Sequence, residues 1–205
     1  MTNSLNLREM ALEILLEAEK NDAYPNVLLK QMLDKYIYME KQERAFLTRL
    51  VEGTVERQIT LDYLIDHVSK IPVKKMKPVI RCMMRMGAYQ IFYMDGVPDS
   101  AACNEAVKLA QRKGFSSLKG FVNGVLRNLS RQKEKIPMPK EQEEPVLALS
   151  VRYSVPEWLT EKIISDYGMQ NAKNMFASLY ENVGATTIRV NQSLSLIHIS
   201  EPTRP

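Results

Sequence analysis

The stretch Ser117–Arg131, SLKGFVNGVLRNLSR, decides the fold because it carries an uninterrupted helical pattern. Six apolar residues are spaced i, i+3, i+4, i+7, i+8 and i+11: Leu118, Phe121, Val122, Val125, Leu126 and Leu129. This is the repeat of a 3.6-residue helix, so the spacing predicts a helix with one buried face.

The other two sides of this helix differ from each other. Four polar residues step by four along one of them: Lys119, Asn123, Arg127 and Arg131. Gly120 and Gly124 form a strip without side chains, which another backbone can approach closely. Each glycine costs about 1 kcal/mol relative to alanine inside a helix, so we expect packing or a ligand to offset it. The alternative is an ordinary core helix with a solvated charged face.

Composition places the chain among ordinary globular proteins. Its 205 residues are 45% hydrophobic and 25% charged, enough for one or two domains. It has neither a signal-peptide pattern nor an apolar run of about 18 residues, which predicts a cytoplasmic protein with no membrane contact. Cys82 and Cys103 form no Cys-x-x-Cys pair and have no histidine nearby, so we expect no metal site and no disulfide.

The positive charge is concentrated in two segments. Residues 70–85 hold six basic residues and no acid, and residues 108–135 hold eight basic residues and one glutamate. Because the whole chain carries +4, the residues outside these segments, +6 and +7 respectively, carry −9. This segregation favours a polyanion-binding face over a uniformly solvated lysine-rich surface.

Helical periodicity also runs through the rest of residues 7–113. We expect helices over Leu7–Lys20, around Val27–Leu33, over Glu40–Gln58 with Ala45, Phe46, Leu50 and Gly53 inward, from a cap at Thr60 to Val68, from Pro78 to Met94, and over Ala101–Lys113. Nothing alternates with period two. This part is therefore predicted to be all-α.

The helix after Pro78 has a row of like charges. Lys77, Arg81 and Arg85 lie at i, i+4 and i+8 on one side, where like charges repel. Something negative has to offset that repulsion. It is either a bound anion or acidic side chains from elsewhere in the chain.

The composition changes after Lys135. Residues 136–145, IPMPKEQEEP, are typical of an interdomain linker. Helices follow from Pro156 to Tyr167 and from Gln170 to Tyr180, and Thr186–Val190 alternates as a strand. A lone strand is unstable, so residues 146–192 are predicted to be an incomplete α+β subdomain.

These residues resemble a known family. Arg85-Met86-Gly87-Ala88-Tyr89-Gln90, the run Pro98–Val107 and above all Phe121-Val122-Asn123-Gly124-Val125-Leu126-Arg127 resemble the NusB-like RNA-binding helical domain at the front of the bacterial 16S rRNA cytosine-C5 methyltransferases of the Sun/Fmu family. Tyr153–Leu159, Asp166-Tyr167-Gly168 and Thr187–Asn191 are similar to the start of that enzyme's second region, which leads into a Rossmann-like S-adenosylmethionine domain.

The resemblance implies domains at 1–135 and 146–192, and an enzyme whose nucleophile and cofactor loop lie downstream of Asn191. We therefore expect a C-terminally truncated fragment that binds no cofactor and is inactive by itself, with S-adenosylmethionine serving the full-length enzyme. Cys82 and Cys103 lack the family's Pro-Cys context and are interpreted as buried thiols. Residues 193–205 resemble a translated sequencing adapter, so this tail is excluded from the fold.

The predicted function is 16S rRNA binding through phosphate contacts. The residues expected to make these contacts are Lys74, Lys75, Lys77, Arg81, Arg85, Lys119, Arg127 and Arg131, with Asn123 as an RNA hydrogen-bond partner or a structural amide. One alternative is a stand-alone antitermination factor of the NusB type. Another is a helical module that docks a ribosomal protein.

Overall fold

The computed structural model describes residues 5–180, and this part of the chain folds into α-helices with no strand. The ten α-helices are α1 Leu7–Asn21, α2 Pro25–Lys35, α3 Lys41–Glu56, α4 Gln58–Val68, α5 Pro78–Tyr93, α6 Asp99–Arg112, α7 Lys119–Arg131, α8 Pro145–Tyr153, α9 Glu157–Tyr167 and α10 Met169–Ser178. Short 3-10 helices at Val73–Lys75 and Ser116–Leu118 precede α5 and α7. The predicted all-α class is confirmed for this range.

Local signals in the sequence set several helix ends. The Asn6 side chain accepts a hydrogen bond from the Glu9 N–H at 3.2 Å, which caps α1. Pro78 occupies the first turn of α5, where its missing N–H leaves no bond unmade. Gly114 and Gly168 have φ of 83° and 79°, a left-handed region that favours glycine, and they end α6 and α9.

Helix α5 is the centre of the first core. It packs against α1, α3, α4, α6 and α7, and the stripe predicted from its sequence is buried throughout: Ile80, Met83, Met84, Gly87, Ile91 and Met94. Gly87 permits the close approach of α7, because a Cβ at this position would lie 2.7 Å from Leu126 Cδ1. The apolar face of α7 therefore packs directly on α5.

Two expectations for α3 and α4 were wrong. Ala45 is exposed and Leu47 occupies the buried position, because α3 begins at Lys41 and its inward stripe runs through Leu47, Leu50 and Val51. Thr60 does not cap α4, since the helix already begins at Gln58 and the Thr60 side chain is buried.

A second, smaller core follows the first. Leu149, Val155, Ala172 and Phe176 pack together between α8, α9 and α10. Sequence analysis placed no helix at α8, although Pro145 stands in its first turn. The missed helix is the element that joins this core to the rest of the protein.

Helix α8 is attached to α4 by two hydrogen bonds, one of them buried. The Thr60 hydroxyl donates to the Val151 carbonyl at 2.6 Å, and the Ile59 N–H donates to Ser154 Oγ at 3.0 Å. Ser154 itself adopts φ 53°, the left-handed residue that ends α8. One face of α4 thus belongs to the first core, and another carries α8.

The segment that links the two cores also contacts the first core, through Ile136 and Pro137. Ile136 is buried in the first core, and the Tyr63 hydroxyl donates to the Pro137 carbonyl at 2.9 Å. The domain boundaries at 135 and 145 remain predictions. The expected strand at 186–190 and the tail at 193–205 lie outside the described residues.

Arg57 forms a further contact between the two cores. The guanidinium of Arg57 lies 3.6 Å from the Tyr180 ring centroid and 5.3 Å from that of Tyr93. The Tyr180 hydroxyl in turn donates to the Tyr153 carbonyl at 2.5 Å. These contacts connect the end of α3 to both α5 and the turn after α10. Across residues 5–180, no helix is long and apolar enough to cross a membrane.

Candidate nucleic-acid interface

Helix α7 buries four of the six residues of the predicted stripe, leaves Leu118 and Phe121 half-buried, and leaves its glycines open. Val122, Val125, Leu126 and Leu129 are buried, while Ser116–Leu118 forms a 3-10 turn before the helix rather than its first turn. A Cβ built at Gly120 or Gly124 would meet no heavy atom within 4 Å. The strip therefore faces outward, and of the two expected compensations for the glycines, packing or a ligand, packing is not found within residues 5–180.

The polar side of α7 lies beside this strip. Lys119, Arg127 and Arg131 are exposed, and within the described range no carboxylate lies within ion-pair distance of them. Arg127 Nε donates to the Asn123 Oδ1 at 2.8 Å, one turn back on the same helix. The half-buried Asn123 thus bonds no backbone group within residues 5–180, because its side-chain oxygen accepts from Arg127.

The two arginines of α5 have a different environment. Arg81 forms an ion pair with Glu19, and Arg85 donates to both carboxylate oxygens of Asp62 at 2.6 and 2.7 Å. Arg85 also lies 3.8 Å from Glu19. Of the two explanations for the row of like charges, the structure shows the second for Arg81 and Arg85, since acidic side chains of α1 and α4 neutralise them, whereas Lys77 has no carboxylate partner within residues 5–180.

Of the three lysines before α5, Lys77 lies near the start of α7, whereas Lys74 lines a cavity together with Glu19 and Arg81. Lys74 and Lys75 are exposed on the short 3-10 helix, which is fixed by a 2.6 Å hydrogen bond from the Val73 N–H to Asp66. Lys77 Nζ lies 5.5 Å from the centroid of the Phe115 ring, just ahead of α7. We call the set Lys74, Lys75, Lys77, Lys119, Arg127 and Arg131 the basic face.

A groove of about 500 Å³ runs between α6 and α7 beside the basic face. Its lining residues are Asn104, Val107, Lys108, Lys119, Gly120, Asn123 and Arg127. Asn104 and Lys108 were not predicted as members of the site from the sequence. Their i, i+4 spacing on α6 was a usable signal, because it places them on one side of that helix.

The cysteines offer no nucleophile. Cys82 is 3% exposed and Cys103 is 1% exposed. Burial raises the pKa of both thiols above the ordinary value, although Arg85 and Arg81 oppose the rise for Cys82 and Arg127 opposes it for Cys103. Both thiols are therefore protonated at neutral pH. No group of three or more His, Cys, Asp or Glu side chains within residues 5–180 is arranged to hold a metal ion.

The fold and the surface together define a small helical protein with a basic helix presented at its surface. The model of the NusB family matches residues 5–131. The chain therefore belongs to the NusB family.

Two groups of relatives resemble the chain. It is 36% identical over 123 residues to the transcription antitermination protein NusB of Bacillus velezensis, which covers 60% of this chain and 91% of that protein. It is 37% identical over 187 residues to a protein of Bacillus subtilis named probable ribosomal RNA small subunit methyltransferase B. That match covers 91% of this chain but only 41% of the relative, so the chain spans less than half of the methyltransferase's length. The resemblance inferred from the sequence is confirmed.

Solved structures support the fold. A crystal structure described as antitermination factors NusB and NusE in complex with dsRNA matches with a TM-score of 0.55 at 20% identity, covering 61% of this chain and 93% of that one. The likeness is one of fold.

Proposed function

We propose that this chain binds RNA through its basic face. We further propose that it does so as the RNA-holding part of a methyltransferase that modifies a cytosine of 16S rRNA at C5. The observation that carries the proposal is the contrast between α5 and α7: the α5 arginines are neutralised by Glu19 and Asp62, whereas the cations of α7 have no carboxylate partner among residues 5–180. Unpaired cations on an exposed face release counterions when they meet phosphates, which favours binding to a polyanion.

The proposal narrows the set of contacts predicted from the sequence. Phosphate contacts are assigned to Lys74, Lys75, Lys77, Lys119, Arg127 and Arg131. Arg81 and Arg85 contribute less, because an incoming phosphate has to compete with carboxylates that are already in place. The open strip at Gly120 and Gly124 allows a ribose-phosphate backbone to approach α7 without steric hindrance.

Methyl transfer belongs to the whole enzyme in this proposal. S-adenosylmethionine supplies the methyl group in such an enzyme, and a thiolate must add to the cytosine ring before the transfer. The buried, protonated Cys82 and Cys103 do not fit that role, and neither a glycine-rich loop nor a Pro-Cys motif is present in residues 5–180. We therefore assign this chain a positioning role and expect no methylation of 16S rRNA by it alone.

The test is a salt titration of RNA binding. We expect Lys119→Glu combined with Arg127→Glu to weaken binding of a 16S rRNA fragment by about tenfold or more at about 50 mM salt and to flatten the dependence on salt. Fluorescence anisotropy with a labelled fragment measures both.

The matched control is Lys162→Glu on α9. Lys162 is exposed and lies outside the basic face, where it pairs with Asp166 at 3.0 Å. This change alters the net charge in the same direction, so a general electrostatic effect would appear in both variants. Equal affinity of the double variant and the wild type would remove RNA binding from the basic face.

One alternative has specific support. The matching crystal structure that contains dsRNA holds NusB together with NusE, so that NusB has a protein partner as well as RNA. For this chain we propose docking of a ribosomal protein only as the second candidate, since the open surface described here is cationic. Partner binding that is insensitive to salt and to the double variant would favour docking. A stand-alone antitermination role is disfavoured because α8 and its core occupy a face of α4.

A further inference from the structure

A groove between α2, α3 and α5 holds two glutamates that no cation neutralises. It encloses about 450 Å³, and Glu52 and Glu56 line it from α3. Within residues 5–180 neither carboxylate forms an ion pair with a lysine, arginine or histidine side chain. Partial desolvation, together with the neighbouring Glu56 carboxylate, raises the pKa of Glu52. The two like charges therefore repel each other along α3.

The two arginines that also line this groove are already engaged. Arg44 donates to the Leu33 carbonyl in the last turn of α2 at 3.0 Å. Arg49 donates to the carbonyl of Tyr93, the last residue of α5, at 2.7 Å. Carbonyls at a helix C-terminus lack an intrahelical partner and carry partial negative charge, so each guanidinium offsets the end of a helix. The charge left without a partner in the groove is that of the glutamates.

A tyrosine hydroxyl in the same groove also lacks a partner. Tyr89 is 7% exposed, and its ring stacks on that of Tyr93 with centroids 5.4 Å apart. The hydroxyl lies against Gly53, where a Cβ would overlap it, and the residue lines the groove beside the glutamates. Among the described residues this hydroxyl neither donates nor accepts a hydrogen bond. Because buried tyrosine hydroxyls usually have a partner, this one is available to a ligand.

The groove suits an organic cation better than a metal ion. Its volume lies in the range of pockets that hold small organic ligands, about 300–1,000 Å³. In the part of the chain that the structure describes, no third carboxylate, histidine or cysteine joins the two glutamates, and Ca²⁺ requires more oxygen ligands than these. An ammonium group only donates, and it would find acceptors in both carboxylates and in the hydroxyls of Thr48 and Tyr89.

The spacing of the glutamates indicates a ligand with more than one positive charge. Glu52 and Glu56 are one turn apart on α3, which puts their Cβ atoms about 5–6 Å apart. Linear polyamines carry ammonium groups separated by a few methylenes, which is a similar distance. Leu33 and Ala45 offer the methylenes an apolar surface in the lining. A single ammonium group would leave one carboxylate without a partner.

We propose that the groove between α2, α3 and α5 binds a linear polyamine. Glu52 and Glu56 pair with neighbouring ammonium groups, and the Tyr89 hydroxyl accepts a hydrogen bond from one of them. The inference is independent of the proposed RNA binding, because none of the residues of the basic face lines this groove.

Isothermal titration calorimetry with spermidine at low salt tests the site. Wild-type protein is expected to bind spermidine with an affinity that falls as salt is added. Glu52→Gln combined with Glu56→Gln is expected to weaken binding about tenfold or more. Tyr89→Phe is expected to weaken it about threefold and to leave the thermal unfolding midpoint nearly unchanged, because the lost hydroxyl bonds no protein group. A lower midpoint without a loss of affinity would overturn the role of Tyr89.

A matched control comes from α9. Glu157 and Glu161 have the same spacing, are exposed and form no ion pair within the described range, so Glu157→Gln combined with Glu161→Gln makes the same change of charge outside the groove. This variant is expected to bind spermidine as the wild type does. Equal losses in the two double variants would overturn the site.

Three further probes test the class of ligand. Butylamine, which has one ammonium group, is expected to bind more weakly than spermidine, and equal affinity would overturn the two-point contact. Displacement of spermidine by Mg²⁺ at equal ionic strength would assign the groove to a metal ion instead. A tetralysine peptide that binds more tightly than spermidine, and loses affinity in the Glu52/Glu56 double variant, would replace the polyamine with a basic protein segment.

Discussion

Arg85 donates from Nε to Asp62 Oδ1 at 2.7 Å and from Nη2 to Asp62 Oδ2 at 2.6 Å, a two-point contact that joins α5 to α4. Only 12% of the arginine side chain and 25% of the aspartate side chain are exposed. Because the contact has two hydrogen bonds and is largely shielded from water, it stabilises the fold, and Arg85 is not available to pair with RNA phosphates.

Loss of this contact should lower stability more than RNA affinity. Arg85→Ala leaves Asp62 without its partner in a mostly buried position, so we expect a loss of about 1–3 kcal/mol in the free energy of unfolding. Urea denaturation measures it. Lys140→Ala serves as the control, since the Lys140–Glu143 pair is exposed and should contribute less than about 1 kcal/mol. A drop in RNA affinity equal to that of the Lys119/Arg127 double variant would contradict the structural role.

The glycines of this fold should respond to alanine in opposite ways. Gly124→Ala places a methyl group in open space inside a helix, so we expect a gain of about 1 kcal/mol in stability. Gly87→Ala forces a methyl group against Leu126 at the α5–α7 contact and should destabilise the fold by about 1–3 kcal/mol. Thermal unfolding followed by circular dichroism distinguishes them. A destabilised Gly124→Ala would mean that the strip is covered in solution.

The bond between Thr60 and Val151 should hold the second core in place. Thr60→Val keeps the shape of the side chain but removes the buried donor, so we expect a loss of about 1–3 kcal/mol. Hydrogen exchange in α8–α10 should accelerate more than exchange in α5. Thr60→Ser retains the hydroxyl and should behave close to the wild type. Equal acceleration in α5 and α8 would show that the two cores unfold as one unit.

Alkaline pH should weaken the fold through its buried thiols. Burial raises the pKa of Cys82 above the ordinary value of 9.0, so the folded chain retains a proton that the unfolded chain releases. The resulting stabilisation is complete below pH 9 and is lost as the pH rises through the higher pKa of the folded state. Urea midpoints measured from pH 7 to pH 10 should fall, and they should fall less in Cys82→Ala. A midpoint that rises in this range would refute the assignment.

Sequence patterns predicted the buried faces of α5 and α7 well, because each rests on a single unbroken periodicity from Ile80 onward and from Leu118 onward. They failed where a contact from a distant segment decides the outcome. Thr60 resembles a helix cap locally, yet its partner is Val151, far along the chain. In the same way, the partners of Arg81 and Arg85 come from α1 and α4, so spacing showed the repulsion between the arginines but not what relieves it.

The attachment of α8 to α4 has a mechanical consequence. Because α4 contacts both cores, a change in its tilt would move the second core together with the first. The contact between Arg57, directly before α4, and Tyr180 adds a second connection between the two cores. Tyr180 is thereby connected through α4 to the core that carries α7. RNA aligned along α7 would therefore keep a constant orientation relative to the second core.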